Sequence, residues 1–90
     1  MTNQEIATIL RNVAAAYTIK DEKKHLFQII AYQKASDIVS HLPSEIKDLF
    51  GQGQKIPGIG PSIESHVKEL LANGKSRHFD DVLSHVPASA

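Results

Sequence analysis

The stretch Lys55-Ile56-Pro57-Gly58-Ile59-Gly60-Pro61-Ser62 decides the fold, because it places two glycines around one apolar residue directly before a predicted helix. Glycine adopts positive φ angles and lets another backbone approach closely. A helix N-terminus presents unpaired N–H groups and the positive end of the helix dipole. Glycines and helix start together form an anion site that needs no basic side chain, and a phosphate is its natural ligand.

Helices are predicted on both sides of this stretch. A short helix over residues 45–50, with Ser44 as its cap and Gly51 in a left-handed position at its end, precedes the glycines. A longer helix begins at Pro61 or Ser62 and ends at Gly74, with an apolar face of Ile63, Val67, Leu70 and Leu71. A Gly-Ile-Gly sequence alone is also compatible with a simple tight turn, but the flanking helices favour a helix-hairpin-helix motif in which Ile59 anchors the hairpin.

The rest of the chain also has helical spacing. Helix one is predicted over residues 3–17 after a Thr2–Glu5 capping box, with Ile6, Ile9, Leu10, Val13, Ala14 and Tyr17 inward. Helix two is predicted over residues 22–41, with Phe27, Ile30, Ala31, Ala35, Ile38, Val39 and Leu42 inward. Ser76 caps a last helix that ends at Pro87, with Phe79, Val82, Leu83 and Val86 inward. No segment alternates with period two, so the sequence predicts an all-α, compact four- to five-helix domain spanning residues 1–90.

Composition narrows the function classes. The chain has no cysteine, which argues against disulfides and thiolate metal sites. It has neither a signal-peptide pattern at its start nor an apolar run of membrane-spanning length, so we expect a cytoplasmic protein without membrane contact. Ten basic and ten acidic residues give a formal net charge of zero, so any DNA binding must rest on a few local contacts.

Four segments in order resemble the N-terminal, eight-kilodalton domain of family X DNA polymerases, which includes that of DNA polymerase beta. They are residues 30–35 (IAYQKA), 42–46 (LPSEI), 56–60 (IPGIG) and 69–75 (ELLANGK). The resemblance covers nearly all of residues 3–87. It implies a DNA repair module that binds single-stranded, gapped or nicked DNA, beside other domains of a polymerase. It also implies a monovalent cation, Na⁺ or K⁺, held by the backbone carbonyls of Gln54, Ile56 and Ile59, with no other cofactor required.

The departures from this family bear on catalysis. His66 occupies the position of the Schiff-base lysine of lyase-active members. Phe27, Gln28 and Ser62 stand where those members have the basic residues of a 5′-phosphate pocket, although the pocket tyrosine is kept as Tyr32. Glu64 replaces a small residue on the helix after the hairpin, which puts close helix packing in question. The nucleotidyltransferase carboxylates belong to a later domain of the family, outside these 90 residues.

The sequence therefore predicts a monomeric, sequence-independent DNA-backbone binding module without a catalytic residue of its own. The predicted phosphate-binding residues are Pro57, Gly58, Ile59, Gly60, Ser62, Lys55, Lys75 and Tyr32. Lys68 and Arg77 are weaker candidates. For all four cations, the alternative is a solvated surface of mixed charge, because Glu64 and Glu69 lie among them. Two alternatives remain open at this point: a helical protein-interaction domain without DNA binding, permitted by the neutral charge, and a deoxyribose-phosphate lyase.

Overall fold

A computed structural model describes residues 1–84 and contains five α-helices in that range. They are α1 (Asn3–Asp21), α2 (Leu26–Ser40), α3 (Ile46–Gly51), α4 (Pro61–Asn73) and α5 (Arg77–Ser84). The described residues form no β-strand, and their five helices confirm the predicted all-α class with four to five helices. Val86 and Pro87, predicted to complete the last helix, lie outside the described residues.

Helix α1 starts as predicted but ends four residues later. Thr2 and Glu5 form the complete capping box, in which the Thr2 hydroxyl accepts from the Glu5 N–H and the Glu5 carboxylate accepts from the Thr2 N–H. The hydrogen bonds that the Glu5 carboxylate accepts, from the Thr2 N–H and from the Thr2 hydroxyl, lower its pKa. The helix continues past Tyr17 to Asp21, and α2 begins only at Leu26, so the boundary predicted at residue 22 was wrong.

The predicted inward face of α2 is partly wrong. Phe27 and Ile30 are 86% and 53% exposed, and Ala31 is also exposed, although all three were predicted to face the core. The buried residues are instead Ile29, Tyr32, Ala35, Ser36 and Val39, of which Ala35 and Val39 were predicted. The small Ser36 faces α1, where its hydroxyl donates to the Ala7 carbonyl at 2.7 Å.

The cap of α3 comes from a distant part of the chain. Asn3 Oδ1 accepts from the Ile46 N–H at 2.7 Å, and Asn3 Nδ2 donates to the Ser44 carbonyl at 2.8 Å. Ser44 is therefore not the side-chain cap that was predicted. Gly51 is helical rather than left-handed, and the positive φ falls on Gly53, at 74°.

One core joins the five helices. Helix α1 packs most extensively along α2, α5 packs on α1, and α3 contacts α4. The predicted inward residues of α4 and α5 are buried or half-buried, with Ile63, Val67, Leu70 and Phe79 inside. Gly74 ends α4 in the left-handed conformation, and the Ser76 hydroxyl accepts from the Phe79 N–H at 3.4 Å, as predicted. Among residues 1–84, no helix combines the length and apolarity that crossing a bilayer requires.

Candidate functional site

The hairpin between α3 and α4 turns at Gly58. Its φ is 92°, a conformation that side chains other than glycine rarely adopt. The Ile59 N–H donates to the Ile56 carbonyl at 3.2 Å and closes the turn. Gly60 has an ordinary φ of −73° and is the N-cap of α4, and Pro61 follows at the first helical position. The two glycines thus have different structural roles: Gly58 provides the positive φ of the turn, and Gly60 caps α4.

Backbone N–H groups of the hairpin lack protein acceptors. Within residues 1–84, the N–H groups of Gly58, Gly60, Ser62 and Ile63 make no hydrogen bond, and Gly60 supplies no side-chain cap to α4. Such groups at a helix start are donors of the kind that an anion site uses.

Apolar contacts hold the hairpin on the domain. Ile56 is buried and Ile59 is half-buried against the core, so both isoleucines anchor the turn, Ile56 the more deeply. From α2, Ile38 packs directly beneath Gly58: a Cβ atom built on Gly58 would lie 2.5 Å from Ile38 Cδ1. Nothing lies within 4 Å of a Cβ built on Gly60, so that position is open to solvent. Gly58 is therefore closed on the α2 side, whereas Gly60 offers an open backbone surface.

Helix α2 also brings a lysine to the hairpin that sequence reasoning did not place there. The same Cβ built on Gly58 would lie 3.5 Å from Lys34 Cε. Lys34 and the predicted Lys55 are both exposed, so a cation from α2 and one from the approach to the turn belong to the hairpin region. The signal in the sequence was the four-residue spacing of Lys34 and Ile38, which puts both on one face of α2.

The other predicted cations lie elsewhere. Lys75 follows the C-terminus of α4, about 18 Å along the axis from its first residue at 1.5 Å per residue. Beside it at the α4–α5 junction are Arg77 and Glu69, and the Glu69 carboxylate accepts from the Arg77 N–H at 3.1 Å. The structure thus does not bring Lys75 to the hairpin.

Lys68 is held by its neighbours in α4 and α3. Its ammonium group lies 3.3 Å from the Glu64 carboxylate and 5.2 Å from the centre of the Phe50 ring. Glu64 is half-buried and directed along α4 toward Lys68. These contacts occupy Lys68, the weaker of the phosphate candidates.

A pocket opens beside the first turn of α4. Its volume is about 400 Å³, and its walls include Tyr17, Phe27, Gln28, Tyr32, Ser62 and His78. The four positions that the resemblance assigns to a 5′-phosphate pocket, residues 27, 28, 32 and 62, therefore do come together. Among the described residues that line this pocket there is no lysine, arginine or carboxylate. It is an aromatic pocket with a neutral polar rim.

Tyr32, predicted to contact DNA, forms part of the floor of this pocket. It is only 4% exposed, because its ring lies 5.8 Å from the Tyr17 ring and 5.7 Å from the Phe79 ring. Burial raises the pKa of Tyr32, and the nearby Tyr17 raises it further. The ring is thus an interior surface, with little of it free for a ligand.

The position of the family nucleophile is occupied by a stacked imidazole. The rings of His66 and His78 are 4.3 Å apart and nearly parallel, at 7°. His78 Nε2 also lies 3.0 Å from the Tyr17 hydroxyl, which joins α5 to α1. Burial and then repulsion by His78 lower the pKa of His66, partly offset by Glu69. The lowered pKa favours the neutral imidazole of His66, and its ring packs against His78.

The donor atoms predicted for a cation are backbone carbonyls. Those of Gln54, Ile56 and Ile59 belong to the hairpin, and the Ile56 carbonyl also accepts the turn hydrogen bond from Ile59. A carbonyl oxygen has two lone pairs, so Ile56 retains one for a ligand. Neutral hard oxygens suit a monovalent ion. Within residues 1–84, no cluster of three histidine or acidic side chains has the arrangement of a metal site.

Comparison with known proteins agrees with the geometry of the hairpin. The sequence profile of the helix-hairpin-helix domain matches residues 1–76, which include α1 to α4 and the whole hairpin. The match covers most of the chain and extends well beyond the Gly-Ile-Gly turn. With the left-handed Gly58 and the uncapped start of α4, it identifies the chain as a member of the helix-hairpin-helix domain family.

Proposed function

We propose that this domain binds the DNA backbone without sequence specificity through its hairpin. Helix-hairpin-helix domains commonly bind DNA in this way. The observation that carries the proposal is the row of N–H groups at Gly58, Gly60 and Ser62 that lack acceptors within residues 1–84. These donors are suited to phosphate oxygens, which every nucleotide presents alike, so the proposed binding is independent of the DNA sequence.

Two exposed lysines support the same phosphate-binding surface. Lys34 and Lys55 supply positive charge to a hairpin region of a chain with no net charge. Hairpin and lysines together neutralise about two or three phosphates, which corresponds to a log–log salt slope of about −2 to −3. Affinity then lies at or below the ordinary non-specific range, roughly 10⁻⁴ M at physiological salt.

The finer role that we propose is docking at gapped, nicked or single-stranded DNA, as the N-terminal domain of a family X repair polymerase does. Its support is the ordered resemblance of four segments, together with the convergence of residues 27, 28, 32 and 62 on one pocket beside the hairpin. Other polymerase domains would be its partners. Na⁺ or K⁺ on the carbonyls of Gln54, Ile56 and Ile59 would bridge to a phosphate, and it is the only ion that this proposal includes.

A pair of matched glycine variants tests the binding surface. Neither Gly51 nor Gly60 has an atom within 4 Å of a built Cβ, and neither has positive φ, so the two positions are matched in the space around the Cβ and in backbone conformation. We expect Gly60→Val to abolish binding to a gapped duplex, measured by fluorescence anisotropy at low salt, because its side chain blocks backbone approach. Gly51→Val should bind like the original protein. Equal binding by all three proteins would refute the hairpin surface.

A further inference from the structure

The pocket beside α4 has the chemistry of a nucleobase site. Phe27 forms one wall and is 86% exposed, which is unusual for a phenylalanine with no covering element among residues 1–84. Tyr17 and Tyr32 form an aromatic floor. Burial raises the pKa of both phenols, so both keep their hydroxyl protons. Gln28 and Ser62 add neutral hydrogen-bonding groups at the rim.

The pocket lacks the cationic side chains of a 5′-phosphate pocket. The described residues that line it include no lysine or arginine, and its one imidazole, that of His78, lies 3.0 Å from the Tyr17 hydroxyl. A flat, uncharged base offers a π face for stacking on Phe27 and polar edges for Gln28 and Ser62. Aromatic side chains bind unpaired bases in this manner without strong sequence preference. A volume of about 400 Å³ is within the range of small-ligand pockets.

Position connects the pocket to the proposed DNA-binding surface. Ser62 and Ile63 line the pocket, and their backbone N–H groups belong to the uncapped start of α4. A strand whose phosphate lies on the hairpin therefore has its next bases within reach of Phe27. Resting on the proposed backbone binding, we infer that this pocket takes one unpaired base of the bound strand, stacked on the exposed Phe27 above the largely buried rings of Tyr17 and Tyr32.

The first arm of the test is an NMR titration with a short single-stranded oligodeoxyadenylate and with the same strand carrying abasic residues. We expect both strands to shift the amides of residues 58–63. Only the strand with bases should shift the ring protons of Phe27 and Tyr17. Amide shifts without ring shifts would overturn the base site and leave backbone binding standing, whereas no shift in either group would overturn both. Ring shifts on adding inorganic phosphate alone would show a phosphate pocket instead.

The second arm compares two exposed apolar residues of α2. Phe27→Ala should weaken binding of the intact strand by at least about 5-fold, the ratio equivalent to about 1 kcal/mol of base stacking. Phe27→Ala should leave the affinity for the abasic strand unchanged. Ile30→Ala is the matched control, because Ile30 is 53% exposed on the same helix and does not line the pocket. Equal losses for both variants, or none for Phe27→Ala, would contradict the inference.

Discussion

Ile38 of α2 lies directly beneath Gly58 of the hairpin, so close that a Cβ atom on Gly58 would meet Ile38 Cδ1 at 2.5 Å. The positive φ of 92° requires glycine at this position, and a Cβ atom would in addition displace Ile38 Cδ1. Gly58→Ala should therefore destabilise the domain by about 1–3 kcal/mol, the usual cost of a strained backbone. Urea denaturation measures the difference, and Gly51→Ala, in open helical space, is the control. A loss no greater than that of the control would contradict this account of the turn.

Lys34 should contribute to DNA binding because it lies beside the hairpin. Its replacement by alanine should weaken binding to every sequence alike and reduce the magnitude of the log–log salt slope by about one. Lys47→Ala removes the same charge from the exposed first turn of α3 and should leave the slope unchanged. Anisotropy titrations across a salt series measure both slopes. If the two variants behave alike, the Lys34 effect is one of net charge and not of position.

The stability of the domain should fall as the pH falls below about 6.5 because of His66. Burial and the neighbouring His78 depress the pKa of His66 in the folded protein, below its ordinary value of about 6.5. The folded state then binds fewer protons than the unfolded state, so stability is complete above pH 6.5 and is lost as the pH falls through the folded pKa.

Urea denaturation between pH 5 and 8 measures this dependence. His66→Gln should flatten it, since the titrating group is removed. His41→Gln removes an exposed imidazole at the end of α2 and should retain the part that depends on His66. A pH dependence that His66→Gln leaves intact would show that another group causes it.

The domain should lack efficient deoxyribose-phosphate lyase activity. That reaction needs a neutral primary amine that forms an imine with the sugar aldehyde, and the imidazole of His66 cannot do so. Lys68 is paired with Glu64 and lies over Phe50, and Lys34 lies by Gly58, so neither lines the pocket. Incubation with 5′-incised abasic DNA and borohydride should give no more adduct than a generic lysine-rich protein. A faster adduct that Lys34→Ala or Lys68→Ala abolishes would establish the enzyme.

Much of this architecture was predictable, because its signals are local. The Thr2–Glu5 capping box, the apolar spacing of α4 and the left-handed Gly74 each depend on residues within one or two turns of each other. The hairpin was predictable for the same reason, although the positive φ of Gly58 and the ordinary φ of Gly60 could not be told apart from the sequence.

The wrong predictions concern features that depend on contacts between residues far apart in the sequence. Apolar residues lie on more than one side of α2, and hydrophobic spacing alone predicted that the side with Phe27 and Ile30 is buried. The buried face includes the polar Ser36, whose hydroxyl donates to the Ala7 carbonyl across 29 positions, a contact that hydrophobic spacing does not indicate. The cap of α3 by Asn3 and the approach of Lys34 to Gly58 are likewise long-range, so no local pattern indicates them.

The most direct test of DNA-backbone binding is to follow backbone amides by NMR while a gapped duplex is added at low salt. We predict that the amides of Gly58, Gly60, Ser62 and Ile63 shift first and most strongly, because their N–H groups lack acceptors within residues 1–84. The shifts should disappear as salt is raised and should be the same for unrelated sequences. Unchanged amides throughout residues 55–64 at low salt would contradict the account and favour a protein-interaction domain.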